Sequence, residues 1–398
     1  TSSFFAPNNN FFYLEGEGPL VLPDGVYEPE RVVGKVTGNN AATWSPSRND
    51  WYETVKLNYG YDFRYGYQMD FVGIRPDTWN KMNEIIAYWQ ELGVDGFRCD
   101  MAHMVPVPFW EWLIQSARQR DEGVYFLGEA YDGDPMKVTT CSVTHALIEA
   151  GFDSVYDSES YDLVKAIFEG DMWANDLENL QWDEMRHDKM LKYVENHDEV
   201  RVASLSHWGG MGASAGKAAF ATLALMSKAP VMLYNGQEVA EPARGAEGFA
   251  QDNGKSTIFD YWSQPELTKK NSTPPKIDQY QLRLMEDYTA LLHLIKSDFF
   301  KHGSFYGLNH MNRLNPTFGR APEDACSGRF LFAFIREYKG DKLTVVINFS
   351  ADQTFEDVRV TLPRQNKHSI RKENNVVLIK KIAPFSVILS GNKTFFEI

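Results

Sequence analysis

The sequence predicts an α/β fold built on a parallel sheet, followed by a separate all-β domain. From about residue 76 onward, apolar residues at helical spacing alternate with short apolar segments typical of strands. That alternation indicates βα units, which build parallel sheets. After about residue 302 the helical period ends and strand-forming segments follow. The length of 398 residues is sufficient for one large domain and a smaller one.

The predicted elements follow one another in a regular order after an irregular first segment. Residues 1–75 are rich in Asn, Gly, Pro and aromatic residues and lack a clear period, which indicates a long shaped loop segment. A helix over 76–92 carries an apolar stripe and is closed by Gly93. Further helices are predicted over 108–120, 160–170, 214–228 and 277–297, and strands over 93–99, 124–128, 152–156, 191–194, 230–234, 329–335, 343–348 and 376–379. The predicted domains are therefore 1–75, 76–302 and 303–398.

Composition narrows the class of partner. The formal net charge of −14 argues against a nucleic acid or an anionic membrane, because a phosphate-binding face needs a basic excess. No stretch approaches the length of a transmembrane helix. The chain opens Thr-Ser-Ser-Phe-Phe without Met or an apolar signal, so we expect its native N-terminus to lie upstream. The compartment, cytoplasmic or secreted, and the oligomeric state are not predicted.

Three cysteines are too few and too scattered for a disulfide framework or a zinc site. They are Cys99, Cys141 and Cys326. Cys99 lies inside a predicted apolar strand, so we expect a buried packing thiol. No zinc motif, P-loop or dinucleotide fingerprint is found in the sequence.

Polar residues follow several of the predicted strands directly. The carboxyl ends of parallel strands are where α/β enzymes build their sites, so these residues are the candidates for chemistry. The candidates are Arg98, Asp100 and His103 after the first strand, Glu129 after the second, Glu195, Asn196, His197 and Asp198 after the fourth, and Asn235, Gly236, Gln237 and Glu238 after the fifth.

Taken singly, each candidate has a structural interpretation. Asp100 beside Arg98 is typical of a buried ion pair, Glu129 is compatible with a helix cap, and a lone histidine is usually a satisfied structural one. Taken together, several unpaired buried acids would be costly. Two carboxylates that flank a scissile bond are what glycoside hydrolysis requires, one as nucleophile or base and the other as the acid.

Four segments together resemble motifs of the α-amylase family, glycoside hydrolase family 13. The segments are Gly96-Phe97-Arg98-Cys99-Asp100, Gly128-Glu129-Ala130, Glu195-Asn196-His197-Asp198 and the run from Ala229 to Glu238. Their order and rough spacing match the family, and the likeness extends from about residue 51 to 300. The resemblance implies a TIM (β/α)8-type barrel with a C-terminal all-β sandwich domain.

The resemblance also implies a role for each matched residue. Asp100 would be the nucleophile, Glu129 the general acid/base, and Arg98 would keep Asp100 ionised and aimed. The reaction would be retaining, with the two carboxyl groups about 5–5.5 Å apart.

The remaining matched residues are implied to bind substrate. Asp198 would hold the distorted sugar through its ring hydroxyls and completes the catalytic set. His197 would hydrogen-bond the same hydroxyls beside Asn196. His103 lies where family members often line the acceptor side.

The family's first motif, an Asp followed closely by Asn-His, is not found in residues 1–92. An eight-stranded barrel needs three strands before the one that carries Asp100, so the barrel is predicted to lack its first strands. We expect the chain to be part of a longer polypeptide. The family's calcium ligand near that motif is unsupported, so no metal and no certain cofactor is predicted.

The leading functional prediction is a retaining hydrolase of α-1,4-glucans, such as starch, glycogen or maltooligosaccharides. It would act through a covalent glycosyl-enzyme. A transglycosylase of the maltosyltransferase or glucan synthase type is the first alternative, because both kinds of enzyme share these motifs. A non-catalytic glycan-binding protein on the same fold is the second.

Overall fold

The computed structural model of the protein describes residues 6–14, 21, 33–39, 43, 45–47, 50–51, 54–65, 70–133, 142–180, 184–243, 255, 264–363, 375–391 and 394–398. The chain divides into two units, Thr1–Tyr156 and Asp157–Ile398. Cys141 lies outside the described residues. Across the described part of the chain, every helix is too short or too polar to cross a membrane.

Strands alternate with helices through most of the first unit, as the apolar pattern predicts. Its elements are β1 (Tyr61–Asp62), β2 (Asp70–Phe71), α1 (Thr78–Glu91), β3 (Gly96–Cys99), α2 (Val107–Arg120), β4 (Tyr125–Gly128), α3 (Val143–Glu149) and β5 (Ser154–Tyr156). β3 pairs with β4, and β4 with β5, both in parallel. Arg98 lies opposite Leu127, and Leu127 lies opposite Ser154, so the carboxyl ends of the three strands point the same way.

The apolar stripe of α1 is buried at one end and open at the other. Trp79 is 2% exposed, and its indole N–H donates to the carbonyl of Tyr59 at 3.1 Å. Ile85, Trp89 and Leu92 are 50%, 46% and 61% exposed. The periodicity therefore located the helix correctly, but it did not tell which residues of the stripe are covered.

Helices dominate the first half of the second unit. Its elements are α4 (Ser158–Glu169), α5 (Glu184–Lys189), β6 (Met190–Leu191), α6 (Ala213–Met226), α7 (Pro265–Asn271), α8 (Gln279–Leu294), α9 (Asp298–Lys301) and α10 (Asn309–Asn312). The predicted strands 191–194 and 230–234 are shorter than expected, since their pairing is a single parallel bridge between Lys192 and Val231. Pro230 begins the second of these segments and has no N–H to extend the ladder.

The predicted C-terminal β domain is present in the second unit. Its strands are β7 (Ser304–Gly307), β8 (Leu331–Tyr338), β9 (Asp341–Asn348), β10 (Phe355–Thr361), β11 (Val376–Ile382), β12 (Val387–Gly391) and β13 (Thr394–Glu397). One antiparallel sheet has the order β13-β12-β9-β8-β7, and β10 pairs with β11 in another. The two sheets share one buried apolar core, formed by alternate residues of their strands. It includes Leu331, Ala333 and Ile335 from β8, and Val358 and Val360 from β10.

We expect Gly328→Ala to destabilise the second unit by more than about 2 kcal/mol, because two costs add there. Gly328 has a φ of +90°, and an added Cβ would lie 1.9 Å from Oδ1 of Asn175. Asn175 cannot move freely, since its side chain donates to the carbonyl of Ser327 and accepts from Asn309, both at 2.8 Å. Urea unfolding monitored by tryptophan fluorescence measures the change.

Gly340→Ala is the matched control for that substitution. Gly340 has a φ of +86° in the β8–β9 turn, but an added Cβ would meet nothing within 4 Å. It should therefore cost only the left-handed backbone term of about 1–2 kcal/mol. Equal losses at the two glycines would contradict the packing argument for Gly328.

Candidate active site

Arg98 joins two carboxylates at the carboxyl ends of neighbouring strands. One Nη atom of its guanidinium contacts Oδ1 of Asp100, which follows β3. The other lies 2.9 Å from Oε2 of Glu129, which follows β4. The parallel register of β3 and β4 places Cys99 opposite Gly128, so the residues that follow these strands emerge at the same edge of the sheet.

The two carboxylates differ sharply in exposure. The side chain of Asp100 is 69% exposed, so a substrate can reach it, whereas that of Glu129 is 4% exposed. Glu129 is held by several donors besides Arg98. The backbone N–H of Met101 donates to Oε2 at 2.8 Å, and the hydroxyl of Tyr131 donates to Oε1 at 3.0 Å. Both carboxylate oxygens therefore have fixed partners, which satisfies a buried acid.

The residue whose N–H donates to Glu129 has a left-handed backbone conformation. Met101 has a φ of +45°, which is uncommon for a residue with a side chain. Its neighbour Ala102 donates its N–H to the backbone carbonyl of Glu129 at 2.8 Å. Two successive N–H groups thus tie the turn after β3 to Glu129.

The electrostatic setting keeps Arg98 charged. Burial lowers the pKa of Arg98, but the contacts with Tyr156, Glu129 and Asp100 outweigh burial, so the pKa lies above its ordinary value. The guanidinium also lies 5.6 Å from the centre of the Tyr156 ring, within cation–π range.

His103 is fully buried, at 0% exposure. Its ring packs edge-to-face on Tyr131, with ring centres 5.6 Å apart. The structure therefore connects His103 with Glu129 through Tyr131, and its contact with an acceptor sugar stays a prediction.

The second unit holds the other predicted group, Asn196, His197 and Asp198. Nε2 of His197 lies 2.9 Å from Oδ2 of Asp198, and both side chains are partly exposed. Asn196 is 1% exposed, and its Oδ1 accepts from the N–H groups of Asp198 and Glu199 at 2.8 and 2.9 Å. Asn196 thus shapes the turn, while His197 and Asp198 are the members that a ligand can reach.

A buried ion pair joins the residues on either side of that turn. Nη1 of Arg201 lies 2.9 Å from Oε1 of Glu195, and both side chains are 0% exposed. The same nitrogen donates to the carbonyl of Asn235 at 2.8 Å, and the guanidinium carbon lies 4.3 Å from the centre of the Tyr234 ring. Oε2 of Glu195 accepts the N–H of Val202 at 2.7 Å. Burial raises the pKa of Glu195, although Arg201 opposes the shift.

The polar residues that follow the fifth predicted strand make hydrogen bonds and an ion pair within the protein. Asn235 donates to Gln264 at 2.9 Å, Gln237 donates to the Tyr288 hydroxyl at 3.0 Å, and Glu238 pairs with Lys270 at 2.5 Å. These contacts give the run a structural role. Among the described residues, no three His, Cys, Asp or Glu side chains are grouped as metal ligands would be.

Sequence reasoning missed several residues that the structure brings to these groups. Tyr131 and Met101 donate hydrogen bonds to Glu129, the Tyr156 ring lies within cation–π range of Arg98, and Arg201 pairs with Glu195 near the turn of Asp198. The proximity of Tyr131 to Glu129 in sequence was a usable signal, as was an arginine three residues after Asp198. The role of the Met101 N–H had no signal, because it depends on a backbone angle.

The chain combines a parallel α/β module that presents paired carboxylates with an all-β domain at its C-terminal end. It belongs to the alpha-amylase family. The sequence profile of the alpha amylase catalytic domain matches residues 27–257, more than half of the chain, and that of the alpha amylase C-terminal all-beta domain matches residues 327–373. The predicted family and the predicted fold class, a partial (β/α) barrel with a C-terminal all-β domain, are confirmed.

Curated relatives align with part of the chain. The chain is 30% identical over 233 residues to the alpha-1,4-glucan:maltose-1-phosphate maltosyltransferase of Corynebacterium glutamicum, which covers 58% of this chain and 30% of the relative. It is 30% identical over 179 residues to the enzyme of that name from Cereibacter sphaeroides, covering 44% of this chain and 27% of the relative. Alpha-amylase MalA of Haloarcula japonica is 30% identical over 185 residues, covering 45% and 25%. The chain thus spans less than a third of the length of these relatives.

Solved structures share the fold at low sequence identity. The debranching enzyme of Nostoc punctiforme superposes with a TM-score of 0.58 at 16% identity, covering 96% of this chain and 69% of that one. The alpha-amylase of H. orenii superposes with a TM-score of 0.55 at 17% identity, covering 84% and 65%.

Proposed function

We propose that the protein is a retaining enzyme that cleaves α-1,4-glucosidic bonds through a covalent glycosyl-enzyme. The observation that carries the proposal is the bridge of Arg98 between Asp100 and Glu129. It brings an exposed carboxylate and a buried carboxyl to one cation at the edge of a parallel sheet. Starch, glycogen and maltooligosaccharides are the proposed substrates, in agreement with the family to which the chain belongs.

In the first step Asp100 attacks the anomeric carbon, and the bond from that carbon to the leaving oxygen breaks. Glu129, in its protonated form, donates its proton to that oxygen. The exposure of Asp100 suits the attacking role. The burial of Glu129 and its fixed hydrogen bonds suit a group that must hold one position while it gives and takes a proton.

In the second step Glu129 accepts a proton from water, and the water oxygen attacks the anomeric carbon. The bond to Asp100 breaks, and the carboxylate is restored. Two inversions give net retention of configuration. Asp198 and His197 are proposed to bind sugar hydroxyls, for which their mutual contact and partial exposure are suitable.

Transfer to a second glucan, rather than to water, is the second candidate. The relatives from Cereibacter sphaeroides and Corynebacterium glutamicum are named maltosyltransferases, which favours this candidate. A sugar hydroxyl would then replace water in the second step, with Glu129 again accepting the proton. The two candidates share the glycosyl-enzyme and differ only in the acceptor.

We expect maltoheptaose incubated with the 398-residue chain to yield shorter maltooligosaccharides and new reducing ends. Chromatography of the products, together with a reducing-sugar assay, measures both. Longer oligomers without new reducing ends would establish transfer and exclude hydrolysis. Unchanged maltoheptaose, in the presence and absence of maltose 1-phosphate, would contradict both candidates.

A further inference from the structure

The two oxygens of the Glu129 carboxyl group have different hydrogen-bond environments. Oε2 lies 2.9 Å from Nη2 of Arg98 and accepts the backbone N–H of Met101 at 2.8 Å. Oε1 accepts the hydroxyl of Tyr131, two residues further along the chain, at 3.0 Å. Each carboxylate oxygen has about two lone-pair sites. Among the described residues, therefore, Oε2 has donors for both of its sites and Oε1 has a donor for one.

This difference decides which oxygen can carry a transferable proton. A proton on Oε2 would displace either the Arg98 guanidinium or the Met101 N–H, and a buried donor that loses its acceptor is costly. A proton on Oε1 leaves all three contacts in place, because the Tyr131 hydroxyl can still donate to the other lone pair. The geometry therefore favours Oε1 as the oxygen that gives and takes the proton.

Tyr131 is held firmly at both its ring and its backbone. The ring packs edge-to-face on the fully buried His103, with ring centres 5.6 Å apart. The next residue, Asp132, accepts the N–H of Val143 and the hydroxyl of Thr144, both at 2.6 Å, at the start of α3. The hydroxyl of Tyr131 thus meets Oε1 from a support that is already in place.

The histidine beneath the Tyr131 ring belongs to a buried turn, Ala102–Met104. The indole N–H of Trp110, on α2, donates to the carbonyl of Ala102 at 3.0 Å. The N–H of Ala102 in turn donates to the backbone carbonyl of Glu129 at 2.8 Å. The support of the Tyr131 ring and the backbone of Glu129 are therefore parts of one hydrogen-bonded unit.

We propose that Tyr131 is a positioning residue, which holds Oε1 of Glu129 as the oxygen that exchanges a proton with the glycosidic oxygen. The inference rests on the proposed function, since it requires Glu129 to be the acid and base. In the first step the proton passes from Oε1 to the leaving oxygen, as the bond from the anomeric carbon to that oxygen breaks and the bond to Asp100 forms. In the second step the proton of the attacking water returns to Oε1.

Tyr131 neither gains nor loses a proton in these steps. Its hydroxyl keeps the carboxyl group in one orientation, and small errors in the placement of a reacting group reduce rates strongly. A defect in this placement should therefore slow only those substrates whose leaving group needs a proton.

The test compares two substrates that differ in this need. The sugar oxygen that leaves maltoheptaose must be protonated, whereas the fluoride that leaves α-maltosyl fluoride is a weak base and needs little help from an acid. For both substrates kcat/KM reports on the steps up to the glycosyl-enzyme. Tyr131→Phe should lower kcat/KM for maltoheptaose about tenfold and that for α-maltosyl fluoride by less than about twofold.

Tyr125→Phe is the matched control for Tyr131→Phe. Tyr125 begins β4, at the end of the strand opposite to Glu129, and its hydroxyl forms a hydrogen bond with Ser154 at 2.6 Å. The control removes a bonded tyrosine hydroxyl away from the site, so it should change kcat/KM for neither substrate. Glu129→Gln is the benchmark, and should show the same difference between the substrates on a larger scale, because it removes the proton itself.

The outcomes separate this inference from the proposed function. If Glu129→Gln shows the difference between substrates, an unchanged kcat/KM in Tyr131→Phe, or an equal loss for both substrates, would overturn the role of Tyr131 and leave the proposed function standing. An equal loss is also what a smaller folded fraction produces, so α-maltosyl fluoride measures the intact enzyme. A parent protein that turns over neither substrate would overturn the proposed function, and the inference with it.

Discussion

Glu129→Gln is expected to lower turnover of maltooligosaccharides by about 10²- to 10⁴-fold, the usual contribution of a general acid and base. The amide cannot deliver a proton to the leaving oxygen or accept one from the attacking water. The substitution preserves shape, since the amide oxygen can still accept from Arg98 and Met101 while the NH₂ group faces Tyr131. The loss should therefore appear in kcat, with the melting temperature lowered only modestly.

Glu122→Gln provides the control for Glu129→Gln, because Glu122 is an exposed glutamate in the turn before β4. It should leave kcat unchanged. Initial rates with maltoheptaose and thermal unfolding by circular dichroism measure both quantities. Turnover by Glu129→Gln at the parental rate would show that Glu129 is not the acid/base.

Arg201→Met should produce the largest loss of stability, about 3–5 kcal/mol, because it leaves a buried carboxylate without its cation. Glu195 is 0% exposed, and the substitution also removes the contacts of Arg201 with the Asn235 carbonyl and the Tyr234 ring. Urea unfolding of the variant and the parent at pH 7.5 gives the difference in the free energy of unfolding.

The loss caused by Arg201→Met should depend on pH. Burial already holds the pKa of Glu195 above its ordinary value, and removal of Arg201 takes away an interaction that lowers it. An acid whose folded pKa is raised binds more protons when folded. Stability is therefore lost as pH rises from the ordinary glutamate pKa, about 4.3, through the raised folded pKa. The variant should be closer to the parent in stability at pH 5 than at pH 7.5.

Two further variants test whether the loss of stability in Arg201→Met comes from the unpaired charge of Glu195. Arg313→Met removes an exposed arginine and should change stability by less than about 0.5 kcal/mol. Adding Glu195→Gln to Arg201→Met removes the unpaired charge, and should recover part of the lost stability and abolish the pH dependence. A loss that is the same at both pH values in Arg201→Met would argue against a buried ionised Glu195.

Local patterns predicted much of the fold because they are set by neighbouring residues. The apolar stripe that ends at Gly93 located α1, whose last residue is Glu91, and Gly93 takes a φ of +86° just beyond it. The predicted strands 329–335 and 343–348 correspond to β8 and β9, and Lys339 and Gly340 take positive φ in the turn between them. Strand lengths were less accurate, since they depend on partners elsewhere in the chain.

The sequence by itself determined the family, the order of helices and strands, and the presence of Arg98, Asp100 and Glu129 after successive parallel strands. Those features depend on residue type and on spacing along the chain, so they can be recognised in the sequence. Only the tertiary structure decided how the carboxylates are held. The Met101 N–H, the Tyr131 hydroxyl and the Arg98 guanidinium converge on Glu129 through a left-handed turn and a strand register. Such convergence depends on backbone angles and on contacts between distant segments, which no local pattern records.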